Sequence, residues 1–99
     1  MVQSIHKFFL GRMLEAWYQL SQEEQNSLIA KLDEALEKVG GKRPILCNSG
    51  WSSDQWSICG IEEFPDIEAV QKYSAALNEL NWFRYCESMS VLGTKVESS

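Results

Sequence analysis

From Ser21 to Val39 the apolar residues fall at the spacing of one helix face. Leu28, Ile29, Leu32, Ala35, Leu36 and Val39 form a stripe, with Lys31, Asp33, Glu34, Glu37 and Lys38 on the other side. Ser21-Gln22-Glu23-Glu24 is a capping box that opens this helix, and Gly40-Gly41 supplies the left-handed residue that ends it. A second stripe, Ile67, Val70, Tyr73 or Ser74, Leu77 and Leu80, follows Pro65-Asp66, with Asp66 as N-cap and Asn81 as C-cap. Between and around the helices the pattern changes to strands. Val2 to Met13, Pro44 to Trp51, Gln55 to Phe64 and Phe83 to Leu92 are rich in β-branched and aromatic residues. Ser52-Ser53-Asp54 is the expected hairpin turn. Met13 to Leu20, carrying Trp17 and Tyr18, is a connector with room for one helical turn. Residues 1–93 thus form one domain, and the polar stretch 94–99 is expected to fray.

The order β-α-β-β-α-β predicts an α+β fold of the ferredoxin-like kind, a four-stranded antiparallel sheet with two helices on one face. In these strands both alternating sets carry apolar residues. Strand one sets Phe8 and Leu10 against Ile5 and Phe9, and strand three sets Trp56, Ile58 and Phe64 against Cys59 and Ile61. Two helices cover only one face, so the other is an exposed apolar patch, which monomers seldom tolerate. A second copy laid sheet to sheet removes it, and a homodimer is the expected assembly.

Composition narrows the function classes. The 99 residues carry a formal net charge of −5, and 44% are hydrophobic, which fits a globular chain. That acidity lacks the basic footprint of a nucleic-acid binder and disfavours an anionic membrane surface. The acidic third strand likewise lacks the Lys/Arg-Gly-aromatic pattern of an RNA-binding sheet. No apolar run approaches the roughly 20 residues that span a bilayer. MVQSIHKFFLGRM has no h-region or cleavage site and reads as mature, so a soluble, cytoplasmic protein is expected. Cys47, Cys59 and Cys86 are odd in number, form no CxxC pair and read as reduced structural thiols.

Phe9-Leu10-Gly11-Arg12, then Trp17, Leu20-Ser21 and Glu24, resembles the opening of a family of small proteins, about this long, without an assigned activity. Trp82-Phe83-x-Tyr85 followed by Gly93 is similar to that family's close. The family lies in the dimeric α+β barrel superfamily, so the resemblance implies that fold, pairing through the sheet, and a pocket between sheet and helices. The superfamily also holds cofactor-free monooxygenases, heme-degrading enzymes, muconolactone-type isomerases, polyketide cyclases and non-catalytic ligand sensors. Fold alone does not choose among them.

Candidate chemistry is sparse. His6, the only histidine, titrates near neutrality when unperturbed, and in strand one it has no identified carboxylate to orient it. Glu87 shares its alternation set with Phe83, Tyr85, Met89 and Val91, where partial desolvation would suit a general acid or base. These two are the catalytic candidates. Aromatics are numerous, and Trp17, Tyr18, Trp56 and Tyr85, with Arg12 as a carboxylate anchor, are the candidate pocket residues. The same aromatics serve equally to fill a core or an interface. His6 with two cysteines has no metal-site spacing, the Gly40-Gly41-Lys42 run follows a helix and is no phosphate loop, and no metal or cofactor is implied. The expected function is binding of a small aromatic or polyketide-like molecule. The alternatives are a non-catalytic dimerisation domain and a cofactor-free monooxygenase or isomerase.

Overall fold

The computed structural model describes residues 3–96. Its elements run β1 (Ile5–Met13), α1 (Glu15–Tyr18), α2 (Gln22–Lys38), β2 (Lys42–Asn48), β3 (Ile58–Phe64), α3 (Ile67–Glu79), a 3₁₀ turn (Trp82–Arg84) and β4 (Cys86–Thr94). The four strands form one sheet in the order β2-β3-β1-β4, antiparallel throughout, the ferredoxin-like arrangement that the sequence pattern predicts.

Both long helices begin as their sequences dictate. The Ser21 hydroxyl accepts from the Glu24 amide at 3.1 Å, and the Glu24 carboxylate accepts from the Ser21 amide at 2.9 Å. Asp66 Oδ1 accepts from the Ala69 amide at 2.8 Å. Helix α2 ends through Gly40 at φ 80°, and α3 ends through Asn81 at φ 55°, a left-handed residue one position beyond the cap Leu80. Leu32 and Leu36 of α2 meet Val70, Tyr73 and Leu77 of α3 over Phe64 of β3, and Ile5 and Trp82 pack around this core.

Four expected boundaries need correction. Strand β2 stops at Asn48, so Trp51 is not in a strand and is 84% exposed. Strand β3 starts at Ile58, which leaves Gln55, Trp56 and Ser57 in the preceding loop. The hairpin connection is therefore long. Asn48 Oδ1 takes the Gly50 amide and Ser53 Oγ takes the Gln55 and Trp56 amides, so local side-chain bonds outcompete the ladder. Strand β4 starts at Cys86. Phe83 precedes it in the 3₁₀ turn that Asn81 initiates, with Arg84 N–H donating to the Asn81 carbonyl at 3.0 Å, and Tyr85 closes that turn. At the other end β4 includes Thr94, opposite Ile5, although a frayed tail was expected from that residue. Val2 and residues 97–99 lie outside the described part.

Alternation divides the sheet in two. Ile5, Lys7, Phe9 and Gly11 of β1, with Ile58, Gly60, Glu62 and Phe64 of β3, face the helices. His6, Phe8, Leu10 and Arg12, with Cys59, Ile61 and Glu63, face away. That second face has no helix over it. Phe8 is 50% exposed, and Ile45, Met89 and Val91 are exposed around it.

Candidate functional site

The space between sheet and helices is not completely filled. A cavity of about 210 Å³ remains there, walled by Phe9, Ile58, Leu77, Trp82, Phe83 and Cys86 on its apolar side. Gly60 helps to shape it. A Cβ at this position would stand 2.7 Å from the Phe9 ring and 2.6 Å from the Ile45 carbonyl, so only glycine lets that ring lie over β3.

One wall is polar. Glu62 is 4% exposed, the only charged residue so deeply buried among those described. Its Oε2 accepts from Arg43 Nε at 3.0 Å and from the Tyr73 hydroxyl at 3.3 Å. Arg43 is held in turn by Asp33 Oδ1 at 2.8 Å, and its Nη2 reaches the Tyr73 oxygen at 3.4 Å. Lys7 Nζ stands 4.0 Å from Glu62 Oε1 and 5.7 Å from the centre of the Tyr73 ring. Five of the strands and helices around the cavity supply one member each. Lys7 comes from β1, Asp33 from α2, Arg43 from β2, Glu62 from β3 and Tyr73 from α3.

Environment sets the protonation of these groups. Burial, reinforced by the Glu62 charge, pushes the Tyr73 hydroxyl well above its ordinary value, so it remains a neutral donor. Burial opposes the Arg43 charge, but the Asp33 hydrogen bond and the Glu62 carboxylate outweigh it and raise the guanidinium. Burial also raises the Cys86 thiol, which keeps it protonated and unreactive.

The residues singled out from sequence lie elsewhere. His6 is on the open sheet face, with Nε2 3.4 Å from Glu63 Oε1. Arg12 and Glu87 meet on that face at 2.7 Å, both about half exposed, so the desolvation expected for Glu87 is absent. No element covers this face, so Met89 and Val91 of the same set are exposed as well, and the late start of β4 removes Phe83 and Tyr85 from that set. Trp17 packs edge to face on Trp82 with ring centres 5.9 Å apart, and so supports the cavity wall from behind. Tyr18 is 68% exposed, Trp56 sits in the loop before β3, and Tyr85 borders a shallow groove with Leu20 and Leu28. Trp17, Tyr18, Trp56, Tyr85 and Arg12 are therefore not brought together in one cavity.

The polar wall was in part readable. Lys7 shares its alternation set with Ile5 and Phe9, and Glu62 shares one with Ile58 and Phe64. A charge within an apolar set is a signal of buried polarity. Arg43 gives no such sign, because a register shift between Lys42 and Ile45 breaks the alternation of β2. A larger open groove of about 610 Å³ runs between α2 and α3, but Ala35, Ala69 and solvated chains such as Lys31 and Glu34 line it, with no convergent polar set.

No family model and no curated protein matches the chain. Solved structures do. A chlorite dismutase variant from Candidatus Nitrospira defluvii superposes with a TM-score of 0.76 at 14% identity, over 99% of this chain and 42% of that one. Another variant of the same enzyme gives 0.77 at 15%, over 100% and 43%. A putative chlorite dismutase gives 0.73 at 18%, over 97% and 46%. The chain thus spans less than half the length of the structures it resembles. At such identity the likeness establishes the fold alone.

Proposed function

We propose that this chain is a small-molecule-binding protein that assembles as a homodimer through the open face of its sheet. The cavity carries the binding half of the reading. It is concave and mostly apolar, with a few polar groups converging from five elements, which is the make-up of ligand sites in general. Its size favours a single-ring or short-chain compound over a polycyclic one. About 210 Å³ falls short of the roughly 300–1,000 Å³ typical of drug-sized ligands.

The superfamily's heme-handling members raise the question of a heme here, and the residues do not suit one. The only histidine lies on the opposite sheet face. The cavity's other donors, Cys86 and Tyr73, are held protonated by burial, whereas an axial ligand of their kind is an anion.

The dimer reading rests on the uncovered face. Phe8 lies opposite Ile61 and Val91, and Leu10 lies opposite Cys59 and Met89, which makes a continuous apolar centre. The His6–Glu63 and Arg12–Glu87 pairs form a polar rim, the layout of a specific interface. The chain also exposes 7005 Å², whereas a compact 11.3 kDa monomer exposes roughly 5,700 Å².

Native mass spectrometry with thermal melting tests both halves. Twice the mass of one chain is expected. A metabolite present at about a hundred times its Kd should raise Tm by roughly 10–20 °C, since that occupancy contributes about 2.7 kcal/mol to a domain of this size. A stable single chain would remove the dimer. The absence of any ligand-dependent shift across a broad panel of small metabolites would remove the binding role.

A further inference from the structure

We propose that the cavity takes a small monoanion with an apolar body, its oxyanion seated on the Lys7 ammonium. The proposal rests on the binding reading above and adds the charge and shape of the occupant. Its first support is the pairing of the charges. The side chains of Lys7, Arg43 and Glu62 are 16%, 21% and 5% exposed, whereas Asp33 is 57% exposed and solvated. Arg43 is paired with both Asp33 and Glu62, so Lys7 is the one cation of the set without a hydrogen-bonded carboxylate, and a charge with so little exposure is tolerated when it is paired.

The second support is the distribution of hydrogen bonds. Arg43 is committed, with its donors on Asp33, Glu62 and the Tyr73 oxygen. Glu62 Oε2 already accepts from both Arg43 and Tyr73. Lys7 differs. Among the described residues Nζ makes no hydrogen bond, since Glu62 Oε1 at 4.0 Å is beyond bonding reach, and the ammonium has three donors. It lines the cavity beside Phe9. An oxyanion there would pair the Lys7 ammonium and fill those donors in one contact, whereas a cation would repel it and a neutral amide would leave its charge unpaired.

The third support is the rest of the wall. Phe9, Ile58, Leu77 and Phe83 offer the occupant nothing polar, so an inorganic anion would satisfy Lys7 but leave that surface wet. At about 210 Å³ the cavity lies below the roughly 300–1,000 Å³ of drug-sized sites, which suits one ring bearing one carboxylate. Benzoate is therefore the probe of choice.

The test is a titration of the full-length protein, followed by amide NMR shifts, with benzoate, its neutral isostere benzamide, the cation benzylammonium and inorganic sulfate. Benzoate is expected to bind tightest and to shift the amides around Lys7, Glu62 and Tyr73. Lys7→Met should weaken it roughly 10- to 100-fold, the range of one charge-assisted hydrogen bond, and should erase its advantage over benzamide. Lys7→Arg should restore part of that advantage. Equal binding of benzoate and benzamide to the parent protein, or benzoate binding unchanged in a folded Lys7→Met, overturns the anion reading while leaving the cavity a binding site. Sulfate binding as tightly as benzoate overturns the apolar-body half. No binding of any probe overturns the anion proposal and counts against the cavity as a site. The parent's ranking of the four probes is decisive by itself if Lys7→Met does not fold.

Discussion

Glu62 is the residue on which the polar wall depends. It faces Arg43 and Lys7 at 4% exposure, so Glu62→Gln removes the buried counter-charge of two partly buried cations without altering the size of the side chain. Removing one partner of a buried pair costs about 3–5 kcal/mol, and a fall in Tm of more than roughly 10 °C in thermal denaturation is the expected result. Tyr73 makes a prediction in pH. Its folded-state pKa lies above the ordinary value near 10, so the folded chain keeps the phenolic proton after the unfolded chain has lost it. The associated stability is fully present below about pH 10 and declines as pH rises beyond it. Cys86, also raised, adds a decline of the same sign from about pH 9. Denaturant unfolding from pH 8 to 11 should show a shallower alkaline loss in Tyr73→Phe than in the parent. An equal slope in both would mean that Tyr73 ionises as readily folded as unfolded.

At the scale of elements, the caps matter because each one places a member of the cavity. The Asp66 bond to the Ala69 amide fixes the start of α3, one turn before Val70 and two before Tyr73. Asp66→Ala should cost about 1 kcal/mol and lower Tm by roughly 4–8 °C, with little change in the far-UV spectrum. Elements with strong local signals were legible in the sequence, as the capping box of α2 and the split of Phe8 and Leu10 from Ile5 and Phe9 show. Element ends decided by competition between local and ladder hydrogen bonds were not. Ser53 captures two amides that a longer β3 would have used, and Asn81 bends Trp82–Arg84 into a turn that reads as strand by composition. Alternation places Glu87 with Met89 and Val91 but does not say that their face is uncovered, whereas Lys7 and Glu62 carry a signal because β1 and the inner part of β3 alternate without interruption. Asp33 and Tyr73 depend on how α2 and α3 lie over the sheet, which no local pattern states.

At the scale of the whole molecule, the proposed pairing should yield to one misplaced charge. Phe8 sits at the centre of the open face, half exposed in the single chain, so Phe8→Glu should preserve the fold while converting a dimer to a monomer. Light scattering should then report about 11.3 kDa in place of twice that mass, with helical content unchanged. A single copy of residues 3–96 already contains the whole cavity, with Lys7, Arg43, Glu62 and Tyr73 on the other side of the sheet from Phe8. Benzoate should therefore still bind the monomeric variant. The open face carries one more pair of neighbours. Cys47 and Cys59 stand opposite each other on β2 and β3, the first exposed and the second partly so, whereas Cys86 is buried beneath the helices. Mating of two such faces would screen the first two sulfurs from a water-borne alkylating reagent. Serial dilution of the native protein should then quicken iodoacetamide capture at Cys47 and leave Cys86 silent, so the chain carries its own chemical gauge of association.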